Sequence, residues 1–432
     1  MAAAGPSPVR RLSGLADPIM DEQRQLDGHD GTELWIRLSR FSLVLALVDG
    51  YGAYVELFTN YRPSAYAVLQ VGLVVGILLV APRGQYRKLI IPLPGLLYGV
   101  WWMLSSTWTN FPAGFVTANS ADVANVTVLV VVGLLVPLRF LLRNILTAGY
   151  IAVALIGVAL IVQPSLAFSS QTSGAPVPGL HGAFIHKNIM GSCIILTAVA
   201  VLCFERRRWI RLTALPTVAV LLALSQSGSS IATLVIVVIG YWLVAKRDEF
   251  VRLIGRSSAS FAAIAVILGV VILGFGLGQI TAALGKDLTF SGRDKVWAGA
   301  IKMIKRRPIE GYGGQNLFVI LSLEPARSIN YPLGFTVRHV HNGALETLLR
   351  LGLVGLSLFV AQMFTTMRSG LILLRSESTK ALGRFIVLLI VVIVAFGVSE
   401  IHTAFGVYLG LMILFGSKIV GATNTDQAWE ST

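Results

Sequence analysis

NILTAGYIAVALIGVALIV, running from Asn144 to Val162, is nineteen residues long and carries no charge. A helix rising 1.5 Å per residue needs about twenty such residues to cross a hydrocarbon layer ~30 Å thick, so the run reads as a membrane span. It lacks the strict apolar–polar alternation of a barrel strand. On either side comparable runs recur at roughly 41–58, 66–81, 88–106, 122–139, 188–204, 213–226, 231–245, 258–283, 344–366, 385–399 and 402–417. The pattern predicts an all-α polytopic membrane protein of about twelve transmembrane helices.

Composition agrees. The chain is 55% hydrophobic and only 13% charged, with a mean hydropathy of +0.75, too apolar for a soluble globule of this length. A net charge of +14 would suit a nucleic-acid binder, but most of it lies in short clusters between apolar runs, as in cytoplasmic loops, and no nucleic-acid partner is expected. Arg83–Lys88, Arg139 with Arg143, Glu205–Arg208, Lys246–Asp248 and Arg368–Arg384 all fall on the side of the N-terminus. The stretches 59–65, 107–121, 163–187 and 226–230 are nearly free of positive charge, so both termini are expected in the cytoplasm, with no cleavable signal before the first span. The expected layout is a tail at 1–40, spans one to nine within 41–283, an outer segment at 284–343, spans ten to twelve within 344–417 and a cytoplasmic tail at 418–432. Cys193 and Cys203 would stand about 15 Å apart along one helix and cannot pair.

The outer segment breaks the charge rule. Between Lys286 and Arg338 it holds nine Lys/Arg against four Asp/Glu, which either suits an anionic lipid headgroup as ligand or reflects a long loop that crosses regardless of charge. Ser291-Gly-Arg-Asp294 has capping-box spacing, and Trp297, Ile301 and Ile304 follow at helical intervals until Pro308. A short helix over about 292–306 is predicted, with Arg293 in its first turn, where free backbone N–H groups also favour phosphate. The chain should turn at Gly311-Tyr-Gly-Gly314, and 315–337 reads as irregular. Lys302, Lys305, Arg306 and Arg307 cover several helical faces and read as a solvated or headgroup-facing surface.

Several polar groups gather at the outer ends of spans. His341, with Asn342 beside it, precedes the run 344–366; an imidazole there could orient or deprotonate a sugar hydroxyl, or simply be a hydrogen-bonded interfacial side chain. Arg293 and Arg338 bracket the outer segment, and guanidinium forks suit phosphate oxygens. His186-Lys187-Asn188 opens another span, where Lys187 either contacts substrate or caps and snorkels. Ser225-Gln-Ser-Gly-Ser-Ser230 could let helices pack closely or turn. Glu400 and His402 form a weaker pair, a candidate proton relay. His339-x-His341 is the nearest approach to a metal pair; no HExxH, CxxC or carboxylate cluster accompanies it, so no metal and no cofactor is expected.

These residues also carry a resemblance. His341-Asn342, nine residues and then Gly352 resembles the H-[NSQ]-x9-G signature of the O-antigen ligase/polymerase (Wzy/WaaL-type) superfamily. Arg293 to Trp297, with Pro308-Ile-Glu-Gly311-Tyr-Gly313, resembles its GR-x-x-x-W and P-x-x-GYG stretch, and His186-Lys-Asn188 its H-x-N element. The HKN element and Ser-Gln-Ser-Gly-Ser are most similar to ExoQ-like exopolysaccharide repeat-unit polymerases. The resemblance implies a metal-independent membrane glycosyltransferase of GT-C type acting on an undecaprenyl-diphosphate-linked oligosaccharide at the periplasmic face of the bacterial inner membrane. Membrane lipid, a chain-length regulator and a flippase would be its partners. It implies catalytic roles for His341 and Arg293, and substrate-binding roles for Arg338, Lys187, His186 and Asn342. Many ligases have Ser-Arg where this chain has Ser227-Gly228; Lys187 could compensate. The alternatives are a ligase that transfers the glycan to lipid A-core or another acceptor, and a transporter or flippase of lipid-linked sugars.

Overall fold

The computed structural model describes residues 30–50, 63–168, 179–184, 186–246, 293–314, 317–318, 320–333, 336–337, 339–398, 400 and 406–429. Among them there is no strand. The main helices are α1 (Asp30–Gly50), α2 (Pro63–Val80), α3 (Leu93–Leu104), α4 (Pro112–Thr127), α5 (Leu138–Val162), α6 (Lys187–Phe204), α7 (Arg208–Ser225) and α8 (Gly228–Ala245). After these come α9 (Arg293–Ile304), α10 (Ala326–Asn330), α11 (Gly343–Leu373), α12 (Lys380–Gly397) and α13 (Gly406–Trp429). The expected span 258–283 and the expected 51–58 and 402–405 ends lie outside the described residues; within those residues every other expected span overlaps a helix. Six of them, α5, α6, α7, α8, α11 and α12, are both long and apolar enough to cross a membrane.

Proline sets several boundaries. Pro63 and Pro112 begin α2 and α4, where a missing N–H costs nothing. Pro137 separates α5 from the end of α4, which runs on through a π turn at Val128–Val132 to Leu135. Helix α3, at twelve residues, rises about 18 Å and is too short to cross the bilayer alone. It packs instead on α11.

Burial sorts the helices into centre and rim. In α6 and α12, 72% of the apolar window is buried, against 17% in α7. Helix α12 lies against α6, α8 and α11, and its Phe385–Val392 run is buried throughout. A helix apolar on every face belongs inside a bundle or in lipid. Leu212, Val220 and Leu224 of α7 are exposed, an apolar rim that suits hydrocarbon and not water. Cys193 and Cys203 are both free thiols.

The outer segment has a small core of its own. Val296, Ala300 and Met303, at helical spacing on α9, pack with Tyr312, Phe318, Ile329 and Val340 and with Leu349 of α11. The stretch expected to be irregular contains α10 and a 3-10 turn at Tyr331–Leu333. Five helical residues are too few to register as a period in the sequence.

Helix α11 is broken at Gly352, whose φ is +65° and ψ −166°. The break frees backbone groups that lipid cannot satisfy. Segment 308–313 meets them: Tyr312 N–H donates to Leu349 O at 2.9 Å, Gly313 N–H to Arg350 O at 2.8 Å, and Leu353 N–H to Pro308 O at 2.8 Å. The indole N–H of Trp101 donates to Leu351 O at 2.9 Å. Only glycine fits at 352, because a Cβ there would stand 2.0 Å from Ile309 O; at Gly311 (φ +70°) it would stand 2.5 Å from Arg350 O. The two glycine motifs are thus one joint, which clamps the outer segment onto the top of α11.

Candidate active site

Four helix N-termini converge beside the C-terminal end of α12. His186 caps α6, its Nδ1 accepting from Asn188 N–H at 3.1 Å. Ser227 caps α8. Asn342 caps α11, its Oδ1 accepting from Leu345 N–H at 3.0 Å while its Nδ2 donates to Val398 O at 3.2 Å. Arg293 opens α9. Aligned peptide dipoles leave partial positive charge at such ends, so the cluster favours an anion.

Glu400 ties these ends together. It follows α12, its N–H donating to Phe396 O at 2.7 Å, and its side chain is 3% exposed. The Asn188 amide donates to Oε1, and an Arg293 guanidinium nitrogen lies 3.6 Å from the same oxygen. His341 Nδ1 stands 3.8 Å from Oε2 and 3.1 Å from His339 Nε2. Burial raises the Glu400 pKa, but the hydrogen-bonding and charge influence of His341, with the charges of Arg293 and His339, outweighs it and holds the carboxyl at about 2. The carboxylate is ionised; Nδ1 of His341 is within hydrogen-bond distance of His339 Nε2 and 3.8 Å from the carboxylate, so a His341 tautomer with its proton on Nδ1 has Nε2 open to accept one.

The backbone presents His341 deliberately. Its φ is +55°, a conformation that costs a non-glycine residue of order 1 kcal/mol and persists only where the surroundings enforce it. On one side Val340 N–H donates to Glu346 Oε2 at 3.1 Å, and Val340 O accepts from the Trp297 indole at 3.0 Å. On the other is the Asn342 cap. Glu346 is paired in turn with Arg350 at 3.0 Å, both buried at the outer turns of α11.

The serine-rich junction does what small polar residues allow. Ser227 Oγ donates to Asn188 Oδ1 at 2.6 Å and lies 2.7 Å from Ser230 Oγ, so the junction extends the network that reaches Glu400. Gln226 turns the chain with φ +52°.

Of the residues singled out in the sequence, His341 and Arg293 are brought to one carboxylate, at 24% and 21% side-chain exposure, and so stay reachable from outside. His186 and Asn342 sit at the same site with side chains engaged in capping. Lys187 is the first residue of α6 and partly exposed. Arg338 and His402 lie outside the described residues, as do Ser291 and Gly292 of the capping box. Lys302, Lys305 and Arg306 are exposed, and Arg307 lies over the Tyr312 ring at 5.0 Å. Asn188, Ser227 and above all Glu400 join the site through hydrogen bonds that no local motif shows. For Glu400 the available signal is a lone acid at the outer end of an apolar run; the structure brings His341 to it, while its expected partner His402 lies outside the described residues.

Residues 211–360, which hold Arg293, His341 and the glycine joint, match the O-antigen ligase family. The resemblance to the O-antigen ligase/polymerase superfamily is thus borne out, and with it the ExoQ-like branch. The chain is 31% identical over 268 residues to the exopolysaccharide production protein ExoQ of Rhizobium meliloti (strain 1021), an alignment covering 57% of this chain and 59% of that relative.

Proposed function

We propose that this protein is a membrane glycosyltransferase that polymerises undecaprenyl-diphosphate-linked oligosaccharide repeats at the periplasmic face of the inner membrane, within a twelve-span GT-C type scaffold with both termini in the cytoplasm. The observation that carries the reading is the meeting of His341 and Arg293 at Glu400, ringed by helix N-termini. His341 Nε2 takes the proton of an acceptor hydroxyl while Glu400 steadies the imidazolium through Nδ1. The acceptor oxygen bonds to the anomeric carbon as the bond from that carbon to the diphosphate breaks, inverting the centre. The electron pair leaves with undecaprenyl diphosphate, whose charge is met by Arg293, Lys187 and the helix ends. Arg338 is assigned to the same anion, and His186 and Asn342 to the rim that holds the sugar.

The experiment is to supply purified protein with a single lipid-linked repeat. A product ladder formed without a second acceptor, with release of undecaprenyl diphosphate, is expected, and it is lost in folded His341→Ala and Arg293→Ala variants. The O-antigen ligase description of the matched domain favours one second reading, transfer to a separate acceptor. Product that appears only when such an acceptor is added would establish that reading instead. Full ladders from both variants would refute the site.

A further inference from the structure

We propose that His339, His341 and Glu400 form an inhibitory site for a borderline divalent cation of the zinc class. The three offer two imidazole nitrogens and a carboxylate oxygen, all within 4.8 Å of one another. His339 Nε2 and His341 Nδ1 share a hydrogen bond at 3.1 Å; once its proton is displaced, the same separation of roughly 3 Å suits two ligands about 2.0–2.1 Å from one zinc ion. Glu400 Oε2 stands 3.8 Å from His341 Nδ1, so the carboxylate must move inward to complete the three-ligand shell. Its other oxygen is held by Asn188 and Arg293, so the carboxylate is positioned before the ion arrives. Mixed imidazole and carboxylate donors suit Zn²⁺, Co²⁺ or Ni²⁺ better than Mg²⁺ or Ca²⁺, which prefer all-oxygen shells.

The consequence for activity rests on the proposed function. The ion takes Nδ1 of His341, the nitrogen that faces Glu400. A neutral imidazole ligated through Nδ1 carries its proton on Nε2. It can then donate to an acceptor hydroxyl but cannot receive its proton. The ion also occupies the carboxylate oxygen that would steady the imidazolium. The cation therefore turns the site off by fixing the unproductive tautomer, without filling the diphosphate position at Arg293.

Two measurements on the full-length protein in detergent or nanodiscs test this, and the first needs no turnover. Titration with Co²⁺ is expected to give visible absorption bands that saturate at one equivalent and are displaced by Zn²⁺. His339→Ala and Glu400→Gln, each checked for an unchanged size-exclusion profile, should weaken binding at least about tenfold, as loss of one of three ligands requires. In the second measurement, Zn²⁺ at the concentration that saturates the Co²⁺-competition curve should cut ladder formation at least about tenfold, and EDTA should restore it, whereas Mg²⁺ should not inhibit. Absence of one-equivalent binding to the wild type, or binding untouched by both substitutions, overturns the site. Saturated binding with an undiminished ladder overturns the tautomer switch. A metal-free protein that makes no ladder refutes the function reading, while the Co²⁺ titration still decides the site.

Discussion

Replacing Glu400 with glutamine tests the site most sharply, because the shape is kept and only charge and one acceptor are lost. Oε1 receives the Asn188 amide and faces the Arg293 guanidinium at 3.6 Å. Both neighbours are donors, so the glutamine carbonyl oxygen must take that position, and the NH₂ group is then left at the Oε2 position, facing His341 Nδ1. A donor in place of the carboxylate no longer favours a proton on Nδ1, which shifts the His341 proton towards Nε2 and weakens the base. The comparable asparagine substitution in a serine-protease triad lowers turnover by about 10⁴ through the same tautomer error. The charge that steadied the imidazolium goes as well. We therefore expect Glu400→Gln to lower kcat for ladder formation by about 10³ or more, roughly 4 kcal/mol of transition-state stabilisation, with little change in KM for the lipid-linked donor. Single-turnover assays on folded protein in nanodiscs would measure both. A variant with kcat within tenfold of wild type would refute the assignment of Nε2 as the base, and a rise in KM alone would move Glu400 to donor binding.

Two further outcomes follow from the same structure. Gly352→Ala places a Cβ 2.0 Å from Ile309 O in a left-handed conformation; it should uncouple segment 308–313 from α11, lower stability by about 3 kcal/mol or more, and show as a lower melting temperature with loss of ladder. The depressed Glu400 pKa carries a defined pH signature. Its folded value of about 2 lies below the ordinary 4.5, so its stabilising contribution is fully present above about pH 4.5 and is lost as pH falls towards 2. The size is on the order of 3 kcal/mol, and melting curves between pH 5 and 2.5 should fall more steeply for wild type than for Glu400→Gln.

Much of this fold could be read because a bilayer leaves few options. Helices stand on nearly every apolar run, and the helix predicted at about 292–306 is found at Arg293–Ile304. What periodicity could not convey was length in context: the 88–106 run yields only the twelve residues of α3, since proline precedes it and a 3-10 turn follows. Polar pairing inside the bundle leaves no periodic trace either. Asp49, Asn125, Tyr66, Gln70 and Ser42 form a buried hydrogen-bonded chain across α1, α2 and α4, each member separated from its partners by an apolar stretch that hides the pairing.

The site illustrates the same division. His341 and Arg293 were visible because each lies in a local motif whose spacing is set by one helix start. Glu400 belongs to no such motif: it stands fifty-nine residues beyond His341, and only the packing of α12 between α6 and α11 brings its carboxylate to both the Asn188 amide and the imidazole. The glycines were legible as signatures but not as a joint, because the reason for Gly352 is a carbonyl oxygen of Ile309 on another segment. A residue chosen by its own backbone leaves a local trace in the sequence, whereas one chosen by a partner across the fold leaves only its identity. Glu400 is of the second kind: a lone acid among apolar spans that becomes interpretable once its three partners are in place.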